Sequence, residues 1–440
     1  MLKASEYPCV TVHSVSEIEK YAAWVLGMVA AVAVLFQAHV SLPGGVINLN
    51  LADPFAILTL AAVGLHVLHA GESPVWRIKQ FNHALLAISL ILLLGFMRGW
   101  LEIGLTQWAL VGRLLGWFVL LGYLSAGYLI VAHVGTHGLR RFAETLLSTV
   151  VVVVTLQAIL RLSDYWGINT GAQLTPTFQG YAGNRNAFAF QLLVGVALLL
   201  GYSQTYARCS SSLQNPVRLR AYSLLLGITL AGLVWTGSRA GLLTGAIMLI
   251  LAWRGCLASR RMLGGGLIFA IVLWFGFWLA AQKDIIEGVL SGNLFNLNFQ
   301  IRDSPVQTFY NGDISNQIHM TTVIHGLDLW QQSPVLGAGL GVFYVLSPVW
   351  IGYPEVIHNT PLWILAEFGL LGAAVFGWGF FLLARHAARF GKAQPARRVL
   401  LFLLVAFAIF GLAHEIFYQR IFWLVLGAVM AQPYTARLQV

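Results

Sequence analysis

Charged side chains are scarce in this sequence. Of its 440 residues, only 10% are Asp, Glu, Lys or Arg, whereas 58% are hydrophobic. A soluble globular domain carries roughly 25% charged residues, so the composition excludes an ordinary soluble protein. Cysteine is also rare, with only Cys9, Cys209 and Cys256 present. We predict all three on the reducing, cytoplasmic side of a membrane, which excludes a fold that depends on disulfide bonds.

The chain is instead rich in apolar runs close to the ~20 residues that a bilayer-spanning helix needs. Backbone N–H and C=O groups in lipid must be satisfied within their own segment, which favours helices. The predicted fold class is therefore an all-α polytopic membrane protein, in which residues 1–440 form a single integral membrane domain. The apolar runs predict twelve transmembrane helices, near residues 21–41, 53–70, 83–99, 108–133, 142–162, 186–206, 220–236, 239–254, 264–282, 359–384, 398–414 and 418–435.

The net charge of +10 does not indicate a nucleic-acid-binding protein. With the N-terminus in the cytoplasm and twelve spans, eighteen of the 26 Lys and Arg residues fall on the cytoplasmic side and eight on the opposite side. This asymmetry is typical of the positive-inside rule for membrane proteins. It predicts cytoplasmic N- and C-termini, contact with membrane lipids and no nucleic-acid partner.

Residues 283–357, between the ninth and tenth predicted helices, form a large loop on the outer side of the membrane. Within the loop, Met320, Val323, Ile324 and Leu327 follow the i, i+3, i+4, i+7 spacing of one apolar helix face. The pattern predicts an amphipathic helix, and two placements stay open for it. One is on the membrane surface, and the other is packed over the helical bundle.

The stretch SPVLGAGLGVF places Gly337, Gly339 and Gly341 after that helix. A GxGxG spacing occurs in phosphate-binding loops, but those loops follow a β-strand and no strand is predicted here. We therefore expect a tight loop that returns to the membrane.

Three side chains on the outer side oppose the general charge bias. They are Arg185 in GNRNAF, Arg239 in TGSRAG and His358 in IHNTPL. Each stands where a helix N-terminus, with its partial positive charge, faces outward. Two guanidiniums and three such helix ends suit an anion with several oxygens, most naturally a phosphate or diphosphate. The alternative for either arginine alone is an interfacial side chain paired with lipid phosphate, and a lone histidine is more often structural.

Local signals support two of these helix starts. Ser238 is placed to cap the helix that begins at Arg239, and Thr360 to cap the helix after His358, with Pro361 in its first turn. A positive helix end favours the neutral imidazole of His358. A neutral imidazole accepts a proton near pH 7, which is what a general base must do.

Four stretches taken together resemble a known family. HNTPLWILAEFGLLG contains His, Asn, nine residues, Gly, two residues and Gly, and it is preceded in order by GNRNAFAF, TGSRAGLL and SPVLGAGLGVF. From about residue 180 onward the chain is similar to the bacterial O-antigen ligases and O-antigen polymerases, a superfamily of polytopic glycosyltransferases. The twelve-helix layout with a large periplasmic loop between helices 9 and 10 also resembles that family.

The resemblance implies a reaction and a location. A glycan linked through diphosphate to undecaprenol is transferred to an acceptor hydroxyl, on the periplasmic side of the bacterial inner membrane. Carried over by position, His358 deprotonates the acceptor, while Arg185 and Arg239 hold the diphosphate. Asn359, the second residue of the signature, is a further candidate. We expect no nucleotide and no metal cofactor, because the glycan is already activated and the sequence offers no convincing carboxylate cluster.

The sequence also departs from the family. Members often carry an arginine at the start of the loop helix, about where this chain has residues 316–319 and no arginine. His319 and Arg302 are the two candidates to replace that contact. Glu415 and Arg420, in AHEIFYQRIFW between the last two predicted helices, are further candidates for the site, although we expect them to form a simple ion pair with each other.

The sequence leaves four functions open. The first is an O-antigen ligase acting on lipid A-core, and the second is a polymerase that joins lipid-linked repeat units; the motifs separate these two poorly. The third is a protein O-oligosaccharyltransferase. The fourth, a twelve-helix transporter, is disfavoured because transporters commonly show paired repeats and ionisable residues near the membrane midplane. Here the ionisable residues cluster at one face.

Overall fold

The computed structural model describes residues 17–42, 45–168, 170, 177–203, 216–281, 312–388 and 394–433, and within them the chain is predominantly helical. The elements in chain order are α1 (Glu17–Ala33), β1 (Gln37–Leu42), β2 (Gly45–Asn50), α2 (Asp53–Ala70), α3 (Phe81–Ile103), a π-helical segment (Trp108–Leu115) that continues into α4 (Gly116–Val134), α5 (Thr136–Tyr165), α6 (Arg185–Ser203), α7 (Pro216–Trp235), α8 (Arg239–Arg254), α9 (Arg260–Ala280), α10 (Gly312–Gln332), α11 (Val342–Ile351), α12 (Thr360–Ala388), α13 (Pro395–Gly411) and α14 (Arg420–Met430).

Seven helices in the described part of the chain are long and apolar enough to cross a membrane: α2, α3, α4 with its π-helical start, α5, α6, α9 and α12. The predicted runs 53–70 and 239–254 coincide with α2 and α8. Most of the other predicted runs also lie largely on helices, although several of these helices are short. The total of twelve spans and the assignment of one domain over 1–440 stay predictions.

The first predicted span, 21–41, is wrong in its second half. Helix α1 ends at Ala33, and strands β1 and β2 then form an antiparallel hairpin in which Gln37 lies opposite Asn50. The fold is therefore not purely helical. The sequence Pro-Gly-Gly at 43–45 is a strong turn signal between two short strands, but the length of the apolar run concealed it.

Helix α6 lies at the centre of the bundle. All its side chains from Phe188 to Ser203 are buried, and it packs against α7, α8 and α13. A second close contact joins α4 to α14 through two glycines. A β-carbon on Gly127 would collide with the carbonyl oxygen of Leu424, and one on Gly427 with that of Leu124. Small residues at a crossing let helix backbones approach closely, as is typical of membrane bundles.

Helix α12 is interrupted at Gly369, whose φ of 63° and ψ of −162° are not helical. The break redirects the amides of residues 370 and 371 to the carbonyl oxygens of residues 334 and 335, at 2.8 and 3.0 Å. The carbonyl oxygens of Ala366 and Glu367 thereby lose their usual helical donors. They accept instead from the amides of Ala338 and Gly339, at 2.8 and 3.0 Å, in the loop of residues 337–341, called the glycine loop below.

The glycine loop is the tight turn that the sequence predicts. Gly337, Gly339 and Gly341 have φ of 72°, 112° and 87°, a region that residues with a β-carbon rarely adopt. The amides of Leu340 and Gly341 donate to the carbonyl oxygen of residue 95 (2.8 Å) and to the carboxylate of Glu367 (3.1 Å). All four amides from 338 to 341 thus donate within the protein, so the loop does not present them to a phosphate.

Helix α10 is the helix predicted within the loop 283–357, and it has two kinds of face. Thr322 and Leu329 are buried against the bundle, whereas the side chains of Met320 and Ile324 are 61% and 49% exposed. The helix therefore packs over the bundle, but through a face other than the predicted apolar one, to which the exposed Met320 and Ile324 belong. The apolar side chains that remain outside suit a membrane surface, and that contact stays a prediction, as do the boundaries of the loop.

We expect Gly339→Ala to destabilise the protein by about 1–3 kcal/mol, the usual range for overpacking. A β-carbon at this position would collide with the backbone of Gly99, and alanine rarely adopts the φ of 112° found here. The measurement is the melting temperature of the purified protein in detergent. Gly276→Ala on α9 is the control, because an added β-carbon there meets nothing within 4 Å. Equal melting temperatures for the two variants would contradict the packing of the loop.

Candidate functional site

Helices α6 and α8 begin side by side. The side-chain oxygen of Asn184 accepts from the amides of Asn186 and Ala187 (2.7 and 3.3 Å) and so caps α6. The Ser238 hydroxyl accepts from the amide of Gly241 (3.2 Å), which confirms the predicted cap of α8. The same hydroxyl donates to the side-chain oxygen of Asn186 at 2.8 Å. This bond ties the first turns of the two helices together.

Arg185 and Arg239 are the first residues of these two helices. Arg185 is half-buried and Arg239 is exposed. The two guanidiniums lie close enough to repel each other electrostatically, and both act on His319 as well. An anion with several oxygens relieves such a repulsion and matches the donor geometry of arginine. The structure therefore places both predicted arginines where one multivalent anion can meet them.

The start of α12 differs from the prediction in its cap. The side-chain oxygen of Asn359 accepts from the amide of Leu362 at 2.8 Å, so Asn359 is the cap and the predicted cap by Thr360 is wrong. The physical reason is that Thr360 is already helical and its hydroxyl turns to the neighbouring segment, where it donates to the carbonyl oxygen of His414 (2.8 Å). The amide nitrogen of the Asn359 side chain donates to the carbonyl oxygen of Leu412, also at 2.8 Å.

Three histidine rings meet beside this helix start. The ring of His358 is stacked on that of His319, with centroids 4.4 Å apart and planes inclined by 29°. The ring of His414 lies 5.7 Å from His319 and 6.4 Å from His358. They come from α10, from the residue before the cap of α12, and from the turn between α13 and α14. All three are half-buried.

The surroundings disfavour a positive charge on two of these rings. Burial and then the effect of His358 lower the pKa of His319 to about 4. Glu355 opposes this shift, and Arg239 and Arg185 add smaller lowering effects. Burial and the neighbouring histidines lower the pKa of His414 to about 3. Both imidazoles are therefore neutral near pH 7, and each keeps a nitrogen lone pair.

Glu355 contacts His358 from the preceding turn. Its carboxylate oxygen Oε1 lies 3.5 Å from His358 Nε2 and accepts from the amide of Val356 at 2.9 Å. Its own amide donates to the buried hydroxyl of Ser347 at 2.7 Å, which fixes the turn. Burial opposes ionisation of Glu355, but the hydrogen bonds from His358 and Val356 outweigh it and hold the pKa of the carboxyl below its ordinary value. Glu355 is thus a carboxylate placed to orient the His358 ring.

A cavity of about 620 Å³ opens beside His358 and His414. It extends past the first turn of α6 to the starts of α2 and α14. Amide, carboxylate and guanidinium groups line it, including Gln37, Asp53, Asn184, Asn186, Gln419 and Arg420. Such groups suit the hydroxyls of a sugar or the oxygens of a phosphate.

The ion pair predicted between Glu415 and Arg420 is wrong, because each side chain pairs with a different helix. Glu415 Oε2 accepts from Arg113 Nη1 at 2.7 Å. Arg420 donates from Nε and Nη2 to the two carboxylate oxygens of Asp53, at 2.8 and 3.0 Å. Arg113 and Asp53 are more than 300 residues away in sequence, so the local stretch gave no sign of them. All four side chains line the cavity.

Residues 224–377 match the family model for O-antigen ligase. The match supports membership of the O-antigen ligase superfamily. No curated protein matches the chain. Together with the apolar helices, the family indicates a membrane protein that is a glycosyltransferase-like enzyme, with a lipid-linked glycan and a glycan acceptor as substrates.

The O-antigen ligase match covers much of the site. It includes Arg239, His319, the glycine loop, His358 and Asn359. It leaves out the start of α6, with Arg185, and the turn between α13 and α14, with His414. The structure nevertheless brings both of these segments to His358, since burial and electrostatic effects couple Arg185, His319 and His414.

The described residues include all but one of the candidate site residues. Arg302 lies outside the described residues, so its role stays a prediction. Sequence reasoning missed Glu355 and His414. Glu355 is three residues before His358, and His414 precedes Glu415 in a stretch already singled out; an ionisable residue beside each named candidate was the available signal.

Proposed function

We propose that this protein transfers a glycan from undecaprenyl diphosphate to an acceptor hydroxyl on lipid A-core. The reaction takes place on the periplasmic side of the bacterial inner membrane, with both termini in the cytoplasm. The observation that carries the proposal is the convergence of His358 with the starts of α6 and α8, which bear Arg185 and Arg239. His358 and the first turn of α6 line one cavity, the Ser238–Asn186 hydrogen bond joins α8 to that turn, and both arginines act electrostatically on His319 beside His358. A base for the acceptor and cations for the leaving diphosphate are thereby adjacent.

In this reaction the acceptor oxygen attacks the anomeric carbon of the donor sugar. The bond from that carbon to the phosphate oxygen breaks, and undecaprenyl diphosphate leaves with the electron pair. The acceptor proton passes to the neutral imidazole of His358 as the new bond forms. Arg185 and Arg239 stabilise the charge that develops on the diphosphate, in a partly desolvated site where such contacts are strong.

Glu355 is a positioning residue in this mechanism. Its carboxylate lies 3.5 Å from His358 Nε2, so that nitrogen carries the ring proton. The other ring nitrogen, Nδ1, keeps the lone pair that takes the proton from the acceptor hydroxyl. The carboxylate also stabilises the imidazolium that forms. The stacked ring of His319 restricts the orientation of the His358 ring from the other side.

The transfer needs neither a nucleotide nor a metal cofactor. A glycosyl diphosphate is already an activated donor, so no nucleotide is consumed. Two guanidiniums and the positive ends of α6 and α8 supply the charge that a metal ion would otherwise supply to the leaving group.

His358→Ala and Arg239→Lys should fail in different ways. His358→Ala should lower the transfer rate about a hundred- to ten-thousandfold, the usual contribution of a general base, and leave donor binding intact. Arg239→Lys should weaken donor binding about ten- to a hundredfold, the worth of one charged hydrogen bond, because lysine lacks the planar fork. The measurement is transfer rate and lipid-linked donor affinity, side by side, for both purified variants.

Each variant is the control for the other, and Arg185→Lys should behave as Arg239→Lys does. A wild-type transfer rate in His358→Ala would show that His358 is a structural residue and not the base. Wild-type donor affinity together with a wild-type transfer rate in both lysine variants would make the arginines contacts for membrane lipid and remove the diphosphate from the proposed site.

Glu355→Gln should lower the turnover number by at least about tenfold with little change in the KM for the donor, because it removes the charge that orients His358 but not a substrate contact. Asp328→Asn is a matched control, since Asp328 contacts His325 on α10 at a similar 3.4 Å, and His325 is stacked on Trp350 instead of on a ring of the histidine group. Equal turnover in both variants would contradict the role of Glu355.

Deletion of the gene distinguishes the ligase from the polymerase. For a ligase we expect lipid A-core without long glycan chains, while the lipid-linked polymer accumulates. The result is read on a gel of envelope glycans. Loss of chain length with single repeat units still attached to lipid A-core would show a polymerase and overturn the proposed acceptor.

A further inference from the structure

The three histidines form a second kind of site. Their ligand nitrogens all lie within 4.8 Å of one another, in a group that the described part of the chain assembles from three separate segments. We infer that His319, His358 and His414 bind a transition-metal cation, with Zn²⁺ as the matching ion, and that this ion is an inhibitor of the enzyme and not its cofactor.

The ligand chemistry selects the class of cation. Neutral imidazole nitrogens are ligands for Zn²⁺ and similar transition metals, whereas Mg²⁺ and Ca²⁺ prefer oxygen ligands. Three histidines with an open fourth position are a common zinc arrangement. His358 and His414 both line the cavity, so water from the cavity can complete the coordination.

The geometry needs only side-chain movement. Zn–N distances of about 2.0–2.1 Å in a tetrahedron put ligand nitrogens about 3.4 Å apart, so nitrogens within 4.8 Å must close by about 1.4 Å or less. The rings of His319 and His358 are stacked, and a metal must lie in the plane of each ring. Rotation of the rings out of the stack achieves both requirements.

The backbone around the cluster is already fixed. The Thr360 hydroxyl donates a hydrogen bond to the carbonyl oxygen of His414, and the Asn359 side chain donates one to that of Leu412, both at 2.8 Å. His358 directly precedes Asn359 and Thr360 in the chain. Two of the three ligands are therefore held at a set separation before any ion arrives, which lowers the entropy that binding costs.

The charges around the cluster predict reversible binding. Arg185 and Arg239 act on His319 and oppose a cation, whereas the carboxylate of Glu355 favours one. A bound Zn²⁺ occupies the nitrogen lone pair with which His358 takes the proton of the acceptor hydroxyl. This inhibition rests on the proposed function of His358, but the binding of the ion does not.

The test of binding uses the full-length protein, purified in detergent without a polyhistidine tag and stripped with EDTA. Titration with Zn²⁺ alone should show one saturable site, and Zn²⁺ should raise the melting temperature of the wild-type protein, because the ion binds only the folded state. His319→Ala and His414→Ala should each weaken binding by at least about tenfold. Mg²⁺ should show no saturable binding.

His325→Ala is the matched control, because His325 lies on α10 as His319 does but is stacked on Trp350 instead. It should bind Zn²⁺ as the wild type does. The inference is overturned if the wild type shows neither saturable binding nor a Zn²⁺-dependent rise in melting temperature. It is equally overturned if His414→Ala, with a wild-type melting temperature before Zn²⁺ is added, binds with wild-type affinity.

A transfer assay separates this inference from the proposed function. Zn²⁺ should inhibit transfer by the wild-type protein over the concentration range in which it binds, and EDTA should restore the rate. Full transfer at saturating Zn²⁺, with binding confirmed, would overturn the inhibition and contradict the role of His358 as the base, while the metal site would stand.

Discussion

The site depends on one clamp between the start of α12 and the turn that follows α13. The Thr360 hydroxyl donates to the carbonyl oxygen of His414 and accepts from the amide of Ile416 at 3.1 Å, while Asn359 bridges the capped helix end to Leu412. A single hydroxyl thus satisfies a donor and an acceptor of a non-helical turn within an apolar bundle. Because unpaired backbone groups are costly in such surroundings, the clamp fixes His358 and His414 together.

A second constraint is the burial of charge next to the cavity. Arg113 and Glu415 are almost fully buried, and the carboxylate of Asp53 also accepts from the Tyr123 hydroxyl at 2.8 Å. A buried ion pair gains little stability over apolar packing, but loss of one partner is costly. Ionisable groups within a membrane bundle are rare and usually functional. These ion pairs place four charged side chains on the wall of the cavity.

The sequence predicted the parts of the structure that depend on local chemistry. Apolar length alone located α2 and α8, and Ser238 was recognised as a cap because capping depends on neighbours within four residues. The hairpin after α1 was missed because β1 continues the apolar run of α1 with no Gly or Pro between them, although QAHVSL alternates polar and apolar residues as a strand does. The partners of Glu415 and Arg420 were missed for a different reason, since each lies on a helix more than 300 residues away. His414 was missed because only tertiary packing brings it to His358.

In the proposed reaction a base and two cations act side by side. The arginines begin α6 and α8, whereas His358 precedes α12, so the positive and the neutral groups belong to different helices that the clamp and the Ser238–Asn186 bond hold in place. Burial and the nearby guanidinium of Arg185 disfavour a positive charge on His319 and His414. In the proposed reaction the bound diphosphate brings negative charge to the same region, where it attracts the proton that the acceptor passes to His358.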